Sequence, residues 1–145
     1  MPVICFHNAD EENGYLSNWY PSTFTLKGID FSSMEQYMMY RKAICFDDDK
    51  VAAQILATED VAEIKALGRL VAGYDENLWN GVRQIVVYEG LLAKFSQNPE
   101  LKERLKSTGS AVLFSTGCFP APASHFSFSA LKHYLQFSHN MHHAS

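Results

Sequence analysis

The chain has 145 residues, 47% of them hydrophobic and 13% aromatic, which is material for one packed core of ordinary domain size. A formal net charge of −4 argues against a module that holds nucleic acid by broad phosphate neutralisation, but leaves room for a local basic pocket that takes a small anion. Cys5, Cys45 and Cys118 are odd in number and widely spaced, so neither a disulfide framework nor a zinc site is supported. The first residues, Met1 to His7, lack the basic flank and long apolar stretch of a signal peptide, and no apolar run approaches the roughly 20 residues of a membrane span. The expectation is a cytoplasmic protein with no membrane segment and no extended nucleic-acid surface.

In chain order, Val3 to Phe6 reads as a short strand, and Asp10 to Asn18 as a turn-rich loop leading to Trp19. Phe24, Leu26, Ile29 and Phe31 flank Lys27-Gly28 and suggest a hairpin. Ser32-Ser33-Met34-Glu35 matches a capping box in which Glu35 reaches back to the Ser32 amide, opening a helix to about Cys45. Asp47-Asp48-Asp49 suits the start of the next helix, and helical spacing continues over residues 51–57 and 61–70, broken near Thr58-Glu59-Asp60. Asp75 is a plausible cap for a long helix to Phe95, with Leu78, Val82, Ile85, Val86, Leu92 and Phe95 as most of its apolar face. Asn98-Pro99 restarts a helix in which Leu101 and Leu105 point inward, and Gly109 closes it. The predicted class is α+β: a mostly helical single domain with a small N-terminal antiparallel sheet.

Composition changes after that point. All 16 acidic residues lie at or before Glu103, whereas residues 114–145 hold one base, Lys132, together with five of the six histidines. Leu131, Tyr134, Leu135 and Ser138 share a helical face there, enough for one terminal helix. The two readings are a docked, weakly charged end and a replaced, frame-shifted one. His139, His142 and His143 lack a fixed partner set and imply no metal site.

Glu35 and Lys42 carry the most chemistry. On one helix they fall within about 20° of a common face and about 10.5 Å apart along the axis. A carboxylate and an amine converging on a sugar carbon can exchange protons with a leaving base or water and stabilise charge or attack. The amine needs a depressed pKa to attack, which burial or Arg41 beside it could supply. The plainer reading keeps Glu35 as a cap and Lys42 as a solvated lysine near a helix C-terminus. Spacing leaves both open.

The ordered motifs narrow the choice. Gly14-Tyr15-Leu16-Ser17-Asn18-Trp19 resembles the G-x-LSN-F/W opening of NADAR (YbiA-like) domains, and Ser33-x-Glu35-x-Tyr37 to Lys42 resembles their Glu-to-Lys helix. Ala66-Leu67-Gly68-Arg69, Trp79 to Phe95 ending in Ala-Lys-Phe, and Asn98 to Gly109 resemble three further segments of that family, in the same order. The resemblance covers residues 4 to 113, so the domain is placed at 1–113, C-terminally incomplete, and 114–145 is an atypical tail. The family's acidic residue, Ser-Asp and Trp-Gly continuation is replaced here by Phe114 to Pro120.

The resemblance implies hydrolysis of the N-glycosidic bond of a phosphorylated ribosyl compound, either a riboflavin-pathway intermediate or ADP-ribose attached to guanine. It further implies Glu35 as acid/base and Lys42 as the essential amine, acting through a transient imine. Asn18 and Trp19 would shape the pocket, and Arg41 or Arg69 would hold a phosphate. No metal or redox cofactor is implied, and the oligomeric state is left open. The alternatives are an inactive nucleotide- or ADP-ribose-binding module and a non-functional, frame-altered family member.

Overall fold

The computed structural model describes residues 3–6, 8–109, 111–115, 128 and 131–135. Cys118, Ser138, His7, His139, His142 and His143 lie outside the described residues. The elements are β1 (Val3–Phe6), β2 (Phe24–Leu26), β3 (Ile29–Phe31), α1 (Met34–Cys45), α2 (Asp49–Leu56), α3 (Val61–Arg69), α4 (Glu76–Gln97), α5 (Pro99–Ser107) and β4 (Val112–Ser115), with a single 3-10 turn at Gly14–Leu16. No helix among the described residues is long and apolar enough to cross a membrane.

β2 and β3 form the expected antiparallel hairpin, pairing Phe24 with Phe31 and Leu26 with Ile29. Lys27 and Gly28 both take positive φ, 51° and 79°, as a two-residue turn matched to strand twist requires. β1 does not join this hairpin. It runs parallel to β4, with Val3 opposite Val112 and Phe6 opposite Ser115, so the N-terminal strand closes against the segment after α5.

Aspartates start three of the helices. Asp48, Asp60 and Asp75 accept first-turn amides of α2, α3 and α4, which satisfies donors that a helix N-terminus leaves open. Asp48 also accepts the Ala72 N–H at 2.8 Å and so ties the end of α3 to the start of α2. At its far end α4 grips the hairpin. Gln97 both accepts the Thr25 N–H and donates to the Thr25 carbonyl, each at 2.8 Å, in place of a neighbouring strand.

The main core joins Phe24, Phe31, Met34 and Tyr37 to Trp79, Val86, Leu91 and Phe95, and a smaller one lies between α1, α2 and α3 around Ala43, Ile55 and Ile64. Of the apolar face expected for α4, Val86 and Phe95 are buried and Val82 and Leu92 pack partly buried against the core. Leu78 and Ile85 are corrected: they are 52% and 60% exposed, and Trp79, Gly90 and Lys94 are buried beside Val86. Residues 131–135 are helical, and Leu131 and Leu135 are fully buried in the main core, while Tyr134 is exposed. Phe128 meets Phe6 edge to face at 6.1 Å. Lys132 donates to the Gly109 and Ala111 carbonyls beyond the end of α5, where a helix dipole favours a cation.

Candidate active site

The site is built on the first turn of α1. Ser33 has an extended backbone, so the helix starts at Met34, and the third helical position falls on Gln36. Ser33 Oγ accepts the Gln36 N–H at 3.1 Å, and Gln36 Oε1 accepts the Ser32 N–H at 2.7 Å. The expected box of Ser32 with Glu35 is therefore corrected by one residue, because Gln36 performs that duty. Gln36 also donates to the carbonyls of Ile55 and Thr58 and fixes α1 against the end of α2. Glu35 is left free of capping work.

Glu35 is nevertheless buried, at 7% exposure. Its backbone N–H donates to the Asn18 carbonyl at 2.9 Å, and Asn18 Nδ2 lies 3.3 Å from Met38 Sδ. Burial raises the carboxyl above its ordinary value, against the opposing pull of Lys65, Lys42 and Arg69. Lys42 Nζ donates to the Gly68 carbonyl at 2.8 Å and sits 4.4 Å from the Tyr74 ring centre. Burial lowers this amine, Glu35 opposes the shift, and Arg69 adds to it.

A glycine lies at the convergence. A Cβ at Gly68 would overlap the Met39 side chain, so glycine here leaves room for that thioether where α3 packs on α1. That packing sets Lys65 and Arg69, one helical turn apart on α3, alongside Glu35 and Lys42 of α1. Three cations thus surround one carboxylate. Arg41 pairs with Glu89 and Lys106 with Glu103, whereas among the described residues neither Lys65 nor Arg69 has an ion pair. Such a surplus suits an anionic ligand.

Trp19 is half-buried and stands outside the main core, with Lys65 Nζ 5.4 Å from its ring centre. Its indole can therefore offer a face to a flat ligand. Arg41 is placed elsewhere. Its Nη1 donates to the Tyr37 hydroxyl at 2.6 Å and to Glu89 Oε2 at 2.8 Å, so the guanidinium is spent on α4. Asn18, Trp19, Glu35, Lys42 and Arg69 are brought together, and Arg41 is not. The residue that sequence reading missed is Lys65. Its signal was the step of four to Arg69, and its meaning depends on how α1 and α3 cross.

The backbone matches the solution NMR structure of the E. coli protein YbiA, with a TM-score of 0.72 over 97% of this chain and 84% of that one. At 22% identity that likeness concerns the fold. The NADAR domain profile matches residues 5–119. The chain is 36% identical over 118 residues to an N-glycosidase of Acanthamoeba polyphaga mimivirus, and spans 69% of that protein. It is 33% identical over 110 residues to a riboflavin biosynthesis protein of Vibrio vulnificus, of which it spans 29%. An N-glycosidase of Nostoc punctiforme is 26% identical over 111 residues. The chain belongs to the NADAR domain family.

Proposed function

We propose that the chain is an N-glycosidase that releases the base from a phosphorylated ribosyl compound, with Glu35 and Lys42 as the reacting pair. The observation that carries this reading is the buried Glu35 carboxyl, relieved of capping by Gln36 and facing Lys42 across a cationic surround. The names of the mimivirus and Nostoc relatives support the reaction class. That of the Vibrio relative supports a riboflavin-pathway intermediate as substrate. Lys65 and Arg69 would hold the phosphate, and Trp19 would stack on the base.

In the proposed course, the neutral Lys42 amine attacks C1′ while Glu35 gives its proton to the departing base, and the bond from C1′ to the base breaks. The nitrogen then loses a proton and the ribose ring opens, with O4′ taking a proton, to leave an imine. Water hydrolyses the imine, returning the free amine and the sugar.

The reactive state couples a protonated Glu35 to a neutral Lys42, which is a minority state for groups with ordinary values. Raising one and lowering the other brings the two together and enlarges the reactive fraction. kcat/KM should be bell-shaped in pH. Below the lower value both groups carry protons, and above the upper value both have lost them. The acidic limb should lie above the ordinary carboxylate range, and the basic limb below that of an ordinary lysine.

The test is to incubate the chain with a phosphoribosylated pyrimidine and, separately, with ADP-ribosyl-guanine, and to follow free base by chromatography. Borohydride should trap a sugar adduct on Lys42, read by mass spectrometry. A folded chain that binds these compounds without releasing base would sink the enzyme reading and leave a binding module.

A further inference from the structure

Lys94 is fully buried in the main core near the end of α4. Its Nζ donates to the Tyr15 carbonyl at 2.7 Å and the Ser17 carbonyl at 3.1 Å. The rings of Tyr20 and Phe95 lie 5.8 and 5.2 Å away. Among the described residues no carboxylate pairs with it. Desolvation pushes the amine down to about 7. A charge-capable group in such a place is costly, and an apolar residue would be the ordinary occupant.

What the amine holds explains its presence. Tyr15 lies in the 3-10 turn Gly14–Leu16 and Ser17 caps it, and the carbonyl of the next residue, Asn18, takes the Glu35 N–H. That N–H is a first-turn donor that the helix cannot satisfy internally. One line of contacts therefore runs from α4 through Lys94 to the turn, and from the turn to the residue proposed to react. We propose that Lys94 is a positioning residue, which clamps the 14–19 loop onto the start of α1 and so fixes Glu35, Asn18 and Trp19 relative to one another. Its role in turnover rests on the reading of Glu35 as the acid, but the clamp itself can be tested without activity.

The experiment is a carbon-13 NMR titration of the Glu35 carboxyl in the full chain, in Lys94→Met, and in Leu105→Ala as a destabilised control. Leu105 is a buried core residue of α5 and donates nothing to the loop. In Lys94→Met the loosened loop should readmit water, and the Glu35 pKa should fall toward the ordinary carboxylate value. Loss of a positive charge would by itself move it the other way, so a fall is diagnostic. Leu105→Ala should lower the melting temperature and leave the Glu35 titration where it is. If base release is established, kcat should drop more than KM rises.

An unmoved Glu35 titration in folded Lys94→Met overturns the proposal. Should that variant fail to fold, Lys94→Gln keeps a donor on a shorter stem and should give a smaller fall. Failure of both to fold marks Lys94 as a core residue alone and likewise overturns it. Absence of base release in the unsubstituted chain, with the NMR shift present, sinks the enzymatic reading and leaves the clamp standing.

Discussion

Toward α4, α1 presents Tyr37 and Arg41. Toward α3 it presents Glu35 and Lys42. On the α4 side a carboxylate, a guanidinium and a phenol satisfy one another: Glu89 is held below its ordinary value by its bond from Arg41, and Tyr37 is pushed up to about 12, chiefly by burial. On the α3 side the single carboxylate is raised by burial, and the cations around it exceed what it can neutralise. Two glutamates on opposite sides of α1, one its own and one of α4, are thus shifted in opposite directions. A closed set of partners marks a joint. An open, oppositely strained set is where binding and chemistry are expected.

The strongest way to break this comparison is to remove the reacting groups. Glu35→Gln and Lys42→Met should each lower base release by about 100-fold or more, the range of a lost general acid or nucleophile. Glu35→Gln should also raise the melting temperature at neutral pH. Its carboxyl is raised in the folded chain, so its ionisation opposes folding, and the loss of stability sets in as pH rises toward the folded value. A lowered melting temperature with unchanged release would place Glu35 back among structural residues.

Helix starts were legible because each has a local chemical signal: the Asp47-Asp48-Asp49 run and Asp75 precede α2 and α4 as expected, and the break read at Thr58-Glu59-Asp60 supplies in Asp60 the cap of α3. The hairpin was legible from Lys27-Gly28 between apolar pairs. What could not be read depends on meetings between distant segments. β1 pairs with β4 across more than a hundred residues, and no local pattern announces it. Lys94 is polar by type, so periodicity left it off the inner face of α4 and added Leu78 and Ile85 to Val82, Val86, Leu92 and Phe95, whereas two loop carbonyls draw the lysine inward. Glu35 and Lys42 were visible from their spacing together with the family resemblance. Lys65 was not, because its neighbour Glu35 is 30 positions away and the two meet only where α3 packs on α1 at Gly68.

The next largest effect should come from the structural side. Leu131 is fully buried in the main core that includes Tyr37 and Trp79. Leu131→Ala should cost about 2–5 kcal/mol in denaturant unfolding, as other buried leucine truncations do, with release per folded molecule unchanged. A cost near zero would show that residues 131–135 add nothing to the core, and that the domain proposed at 1–113 stands without them.

Gly68→Ala tests the joint between the two sides. The added methyl overlaps the Met39 side chain, and repacking that side chain should shift α3 against α1 and cost about 1–3 kcal/mol by overpacking. It should also lower affinity for inorganic phosphate or substrate, because Lys65 and Arg69 retreat from Glu35 and Lys42. Stability lost with binding intact would mean that the two cations do not act with the reacting pair.

The smallest expected effect sharpens the comparison most, because it concerns adjacent residues. Arg41 is bonded to Tyr37 and Glu89, both partly shielded from water, so Arg41→Met should cost about 1 kcal/mol as a hydrogen-bonded ion pair is lost. KM and kcat should stay within about twofold, since that change is worth less than 0.5 kcal/mol. Lys42→Met, one position on, should do the reverse, removing turnover while leaving the fold. If Arg41→Met instead raised KM tenfold with no change in melting temperature, the guanidinium would have to leave Glu89 to reach the substrate. The α4 side of α1 would then belong to the site, and the contrast between a closed and an open face would fail.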